Sequence, residues 1–122
     1  MKRSVPSDSP AQRFWDILEN IARIEEYSSP IDGLDAFVQD DMRRDAVERC
    51  LARISEAAVK LGEIASELAP EIPWRDIRGM GNQLRHAYDG ISPEILWNAI
   101  KYDLPPLKRA CERALKELES RS

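Results

Sequence analysis

The sequence predicts an all-α protein, an antiparallel up-and-down bundle of four main helices with one or two short ones. Apolar residues recur every three or four positions along most of the 122-residue chain, which is the period of an amphipathic helix. No segment shows the alternating pattern of a strand. Glycine occurs only 5 times and charged residues make up 33%, as is typical of helix-rich proteins. We assign residues 10–120 to one bundle domain and residues 1–9 to a flexible N-terminal tail.

The first helix begins at Ser9-Pro10, because serine caps free amides and proline is tolerated in the first turn. Ser28-Ser29-Pro30 ends this helix after about Tyr27, and a short helix around Leu34 and Phe37 follows. One face of the first helix is apolar and is predicted to be buried: Phe14, Ile17, Leu18, Ile21 and Ile24.

A long helix is predicted from about Asp41 to Leu68, and its wide apolar stripe makes it the central helix. The stripe consists of Val47, Cys50, Leu51, Ile54, Ala57, Ala58, Leu61, Ile64, Ala65 and Leu68. Cys50 and Cys111 both lie on apolar stripes and lack the CxxC spacing of a metal or disulfide framework. We therefore expect both cysteines to be reduced core residues.

Three further helices follow the connection between Pro70 and Pro73. The first carries a core stripe of Trp74, Ile77, Gly81, Leu84 and Tyr88. Ser92-Pro93 starts the second and Pro105-Pro106 the last, with Leu96, Trp97, Ile100, Leu107, Cys111, Ala114 and Leu118 facing inward. We expect the three tryptophans, Trp15, Trp74 and Trp97, in the core. Because the connections are short, consecutive helices should be antiparallel neighbours.

The net charge of -4 gives no global attraction to phosphate, so any nucleic-acid contact must depend on a local cluster of arginines. The polar N-terminus lacks the apolar stretch of a signal peptide. No window approaches the roughly 20 apolar residues of a membrane span. We expect a cytoplasmic protein that does not bind membranes.

The chain has one histidine, His86, and histidine is the side chain best suited to exchange a proton at neutral pH. Arg75, Arg78, Asn82 and His86 share a helix stripe distinct from the core stripe. An imidazole can take a proton from a ribose 2′-hydroxyl while a guanidinium stabilises charge on the phosphate. This stripe therefore suits RNA cleavage without a metal, although a solvated polar face would show the same pattern.

Gly79 and Gly81 lie within the same helix, where glycine indicates close approach by another backbone, by a ligand or by a tightly packed helix. The chain has no second histidine, no acidic cluster with two-metal spacing and no glycine-rich phosphate loop after a strand. We expect neither a metal nor a cofactor.

Several motifs together resemble the HepT-like branch of the HEPN superfamily, over most of residues 10 to 118. They are Asp45-Ala46-Val47-Glu48-Arg49, Ser55-Glu56-Ala57, Ile72-Pro73-Trp74-Arg75-Asp76-Ile77, Asn82, His86-x-Tyr88, Leu96-Trp97 and Leu104-Pro105. The resemblance implies an all-helical homodimer, the toxin of a type VII-like toxin–antitoxin pair, encoded beside a minimal nucleotidyltransferase antitoxin. It also implies an Arg-x-x-x-x-His-x-Tyr motif at the dimer interface that cleaves RNA without metal, and a partner that transfers AMP onto the motif tyrosine.

Carried over by position, His86 matches the catalytic histidine, Asn82 its flanking polar residue and Tyr88 the AMPylation site. The motif arginine does not carry over, because Gly81 occupies its place. Arg78 lies about 12 Å of helix rise from His86, and Arg85 is adjacent but points about 100° away. Arg78 of a second subunit, or Arg85 by bending its side chain, is the candidate to hold the phosphate. The heptad pattern turns Tyr88 towards the core, whereas modification requires its hydroxyl to be reachable.

Two functions follow from these observations. The first is a metal-independent endoribonuclease toxin that acts on RNA, with tRNA the expected substrate and DNA excluded, and that is neutralised by its cognate nucleotidyltransferase. The alternative is a catalytically weak or inactive helical dimer that binds the nucleotidyltransferase, having lost cleavage because position 81 is glycine.

Overall fold

The computed structural model describes residues 9–87 and 90–121, and these residues form helices and turns with no strand. The helices are α1 (Pro10–Ser28), α2 (Leu34–Gln39), α3 (Asp41–Leu61), α4 (Glu63–Leu68), α5 (Trp74–His86), α6 (Pro93–Asn98) and α7 (Leu104–Ser120). A π-helical turn (Ala99–Asp103) joins α6 to α7. The predicted all-α fold is confirmed.

Helices α1, α3, α5 and α7 are the main elements, and α3 lies between α1 and α5. Helix α1 begins where the sequence predicts, because the Ser9 hydroxyl accepts a hydrogen bond from the Gln12 backbone N–H at 3.1 Å. Helix α7 runs antiparallel to α1: Lys108 pairs with Glu25 at 3.1 Å near the end of α1, whereas Trp15 near its start lies beside the end of α7. The central place of α3 agrees with its wide apolar stripe.

The core contains the predicted apolar faces of α1, α3 and α7, and Trp74 closes it at the start of α5. The Trp74 indole donates a hydrogen bond to the Ala69 carbonyl at 2.9 Å, so its polar atom is satisfied although the side chain is buried. Trp15 and Trp97 pack against the margin of the core and are only partly buried. Both cysteines are free and buried, as expected, and burial raises the pKa of the Cys111 thiol to about 12.

The prediction of one long helix from about Asp41 to Leu68 is wrong in one respect, because α3 ends at Leu61 and α4 begins at Glu63. Gly62 separates them with a φ of 60°, a left-handed conformation that glycine adopts without strain. The apolar spacing continues across Gly62 because the short α4 also buries one side, at Ala65. Spacing alone could not reveal the break.

The boundaries of two later elements also differ from the prediction. Helix α5 ends at His86, and Tyr88, which the core stripe included, lies outside the described residues. The two helices predicted before and after Pro105 are joined through the π-helical turn, without an intervening loop. None of the helices in the described ranges is long and apolar enough to span a bilayer.

Candidate active site

Helix α5 presents different surfaces to the core and to solvent. Trp74, Ile77 and Gly81 are buried, whereas Asn82 and His86, which lie one turn apart on the same stripe, are exposed. His86 is the last residue of the helix, so its imidazole is open to a large substrate. Asn82 can offer both a donor and an acceptor beside it.

Arg78 is turned away from the exposed stripe and towards the end of α3. Its Nε donates to the Ala58 carbonyl at 3.1 Å, and its Nη2 donates to the Gly62 carbonyl at 2.8 Å. Carbonyls at the end of a helix lack partners within the helix. Arg78 therefore caps α3 and fastens α5 to it.

The Ser55 side chain of α3 is inserted against the backbone of α5. Its hydroxyl donates to the Arg78 carbonyl at 3.0 Å and accepts from the Gly81 N–H at 3.0 Å. In a regular helix that N–H would bond to the carbonyl of Ile77. Sequence reasoning gave Ser55 no role at the site. The available signal was a serine at 3% exposure beside core positions, since such a hydroxyl needs partners.

Gly81 is required by this packing. A β-carbon added at position 81 would overlap the Ser55 hydroxyl and lie 2.9 Å from the Ser55 β-carbon. A β-carbon added at Gly79 would meet nothing within 4 Å, so close packing explains only one of the two glycines. We call Ser55, Arg78 and Gly81, with the carbonyls of Ala58 and Gly62, the seam.

Arg85 differs from Arg78 because its side chain is exposed. It lies one turn after Gly81, and helical side chains lean towards the N-terminus. Its Nη1 lies 3.6 Å from where a β-carbon at position 81 would be, so the guanidinium lies over the bare backbone of Gly81. We call Asn82, Arg85 and His86 the open end of α5.

A shallow groove of about 350 Å³ borders the open end, between α3 and α5. Its lining includes Arg85, Arg49 and Glu48. Partial burial, and secondarily the charge of Asp45, raise the pKa of the Glu48 carboxyl, while the charge of Arg44 opposes them. The groove thus combines the cationic side chains of Arg49 and Arg85 with two carboxyl groups, those of Asp45 and Glu48, and the charge of the second is disfavoured.

In the part of the chain that the structure describes, no three His, Cys, Asp or Glu side chains form a group that could hold a metal ion. The proposed modification site, Tyr88, lies outside the described residues, so the structure places His86, Asn82, Arg85 and Arg78 but not the tyrosine. The first three lie within five residues at the end of α5, and Arg78 lies in the seam.

Comparison with known proteins identifies the group to which the chain is related. Residues 17–114 match the family described as Ribonuclease HepT-like. The chain belongs to the HepT-like ribonuclease family. The match spans the whole of α3 and α5 and the greater part of α1 and α7, so both the seam and the open end lie within the shared region.

Related proteins carry consistent names. The chain is 40% identical over 101 residues to a Thermococcus cleftensis protein named probable ribonuclease HepT, covering 83% of this chain and 91% of the relative. It is 32% identical over 107 residues to a Methanocaldococcus jannaschii protein whose name is putative RNase, covering 88% and 91%. No solved structure gives a significant match. The family resemblance inferred from the sequence motifs is therefore confirmed.

Proposed function

We propose that this protein is a metal-independent endoribonuclease, the toxin of a type VII-like toxin–antitoxin pair, and that tRNA is its substrate. One observation carries the proposal: the single histidine of a HepT-like chain is exposed at the end of α5. Asn82 lies one turn before it on the same stripe. An exposed proton-exchanging group beside amide and guanidinium donors suits a phosphodiester that must bind to the surface.

The reaction is transesterification of RNA. The His86 imidazole accepts the proton of a ribose 2′-hydroxyl as the 2′-oxygen bonds to phosphorus. The bond from phosphorus to the 5′-oxygen breaks, and that oxygen receives a proton from an imidazolium. The products are a 2′,3′-cyclic phosphate and a 5′-hydroxyl. Asn82 orients the phosphodiester, and a guanidinium stabilises the charge that grows on the phosphate oxygens.

A homodimer suits this chemistry, because each chain contains one histidine whereas the reaction uses one base and one acid. Two subunits that place their α5 ends in one cleft would supply both groups. The cognate minimal nucleotidyltransferase acts as antitoxin by transferring AMP from ATP onto the hydroxyl of Tyr88, two residues after His86, with release of pyrophosphate. A bulky anion there would repel RNA from the same cleft.

Cleavage of total RNA and purified tRNA in excess chelator tests the proposal, comparing the wild type with His86→Ala. The control is Gln83→Ala, which changes an exposed α5 residue adjacent to Asn82. We expect the wild type and the control to cut RNA, and His86→Ala to lose about 10²–10⁴-fold, the contribution of general acid–base catalysis.

Equal cutting by His86→Ala, or cutting that chelator removes, would overturn the proposed mechanism. No cutting by folded, dimeric wild type would favour the alternative, a helical dimer that binds the nucleotidyltransferase without cleaving RNA. The absence of a side chain at Gly81 is the observation that favours this second function. Titration with the purified nucleotidyltransferase would then test whether binding alone remains.

A further inference from the structure

We infer that Arg85 supplies the phosphate-binding guanidinium of the site, and that the Ser55 side chain prevents residue 81 from supplying it. The inference rests on the proposed function, because it assigns the cation that binds the RNA phosphate. Arg78 and Arg85 are the two candidates that the sequence leaves open, and their surroundings in the structure differ.

Arg78 is committed to the seam. Two of its nitrogen atoms already donate to the carbonyls of Ala58 and Gly62, at 3.1 and 2.8 Å. Turning this guanidinium towards a phosphate would leave the carbonyls of Ala58 and Gly62 without these hydrogen bonds. Arg78 is therefore a structural residue, which fastens α5 to the end of α3.

Arg85 is placed to meet a phosphate. It is exposed, and of the described residues none accepts a hydrogen bond from its guanidinium. The group lies over Gly81, with Nη1 at 3.6 Å from the β-carbon position, and beside the groove that Arg49, Asp45 and Glu48 also line. A guanidinium with unused donors can bind two phosphate oxygens at once.

Ser55 excludes the alternative of a guanidinium on residue 81. Any side chain there would begin with a β-carbon that overlaps the Ser55 hydroxyl. The Arg85 guanidinium lies beside the point where such a side chain would begin, with Nη1 3.6 Å from the β-carbon position. Ser55, Gly81 and Arg85 thus lie together: the serine requires the glycine, and the Arg85 guanidinium lies over that glycine.

Two measurements test the assignment of Arg85. Arg85→Gln should reduce tRNA cleavage in chelator by about 100-fold, the usual effect of losing one transition-state contact. It should also weaken binding of a non-cleavable 2′-O-methyl oligoribonucleotide and reduce the slope of log affinity against log salt by about 0.7, the value for one phosphate contact on a single strand. Arg109→Gln, which removes an exposed arginine of α7, is the matched control. Wild-type cleavage and an unchanged salt slope in Arg85→Gln would overturn the assignment.

A relocation variant tests the role of Ser55. Ser55→Gly should remove the atoms that collide with a side chain at position 81. The triple variant Ser55→Gly/Gly81→Arg/Arg85→Gln should therefore cleave tRNA at least tenfold faster than Arg85→Gln. Recovery of less than tenfold by a variant with wild-type helicity would contradict the role of Ser55. The binding assay separates this inference from the proposed function: a wild type that does not cleave RNA, with a salt slope that still falls in Arg85→Gln, refutes the nuclease but retains the phosphate contact.

Discussion

The seam and the open end both include residues of α5, yet they use polar and cationic side chains differently. In the seam, the donors of Arg78 are bonded to main-chain carbonyls and the Ser55 hydroxyl is bonded on both sides. At the open end, Asn82, Arg85 and His86 are exposed to solvent. Residue type and spacing therefore cannot assign a role to an arginine on a helix, whereas the partners of its guanidinium can.

The largest effect on stability should come from adding a single methyl group at position 81 of the seam. Gly81→Ala places a β-carbon 2.9 Å from that of Ser55, and overpacking of this kind typically destabilises by about 1–3 kcal/mol. Urea denaturation measures the change. Gly79→Ala is the control, because open space surrounds that position and alanine favours a helix over glycine.

A second variant separates overpacking from an intrinsic need for glycine. Ser55→Gly/Gly81→Ala removes the Ser55 β-carbon and hydroxyl, with which the new methyl group collides. The double variant should therefore be more stable than Gly81→Ala alone. Its unfolding free energy should differ from the sum of the two single effects by at least about 0.5 kcal/mol. Strict additivity of the two single changes would show that the contact with Ser55 does not determine residue 81.

Removing the capping arginine should have the next largest effect. Arg78→Ala leaves the carbonyls of Ala58 and Gly62 without their charged donor, which should destabilise the fold by about 1–2 kcal/mol, while cleavage per folded molecule stays close to that of the wild type. Arg75→Ala, on the exposed stripe, should change stability by less than about 0.5 kcal/mol. If Arg78→Ala kept full stability but lost cleavage, Arg78 would act in the reaction and not in holding α5 against α3.

A smaller effect, confined to activity, should follow from Asn82→Ala. One orienting hydrogen bond is worth about 1 kcal/mol, so cleavage should fall by roughly fivefold while the unfolding free energy stays within about 0.5 kcal/mol of the wild type. Initial rates of tRNA cleavage, with Gln83→Ala in parallel, measure it. Unchanged cleavage would remove Asn82 from the open end as a functional group.

The smallest effect concerns Glu48 in the groove that borders the open end. Burial raises the pKa of its carboxyl above the usual glutamate range, so the folded state binds this proton more tightly than the unfolded state. The resulting contribution to stability is present at acidic pH and is lost as pH rises through the folded-state pKa. Glu48→Gln should therefore be more stable than the wild type at pH 7, with the advantage vanishing at about pH 4. A larger advantage at the lower pH would reverse the sign and contradict the cause.

Much of the fold could be predicted because burial imposes a period on the sequence. The apolar stripes of α1 and α3 gave their buried faces, and Ser9 gave the start of α1. The break at Gly62 was missed because apolar spacing continues into α4, and a φ of 60° leaves no trace in the hydrophobic pattern. The π-helical turn was missed for the same reason, since it keeps the chain helical where Pro105 and Pro106 indicated a new start.

The residues of the candidate site were recognisable, but their division into two regions was not. His86 stands out as the only histidine, and Asn82 follows from helix periodicity. Arg78 also belongs to that stripe by spacing, yet its long side chain bends to carbonyls of α3, a contact between residues 16 to 20 positions apart. Such a contact depends on how two helices pack, and no local pattern encodes it. In the sequence, Gly81 is compatible with tight helix packing or with the close approach of a ligand. The contact with the Ser55 side chain in the structure shows that it is tight packing.

The most direct test of the division between the seam and the open end is chelator-resistant cleavage of tRNA by His86→Ala and Arg78→Ala, measured side by side and normalised to the folded fraction. The account predicts that His86→Ala unfolds like the wild type but does not cut, and that Arg78→Ala unfolds more easily but still cuts. Cleavage by His86→Ala, together with none by fully folded Arg78→Ala, would contradict it.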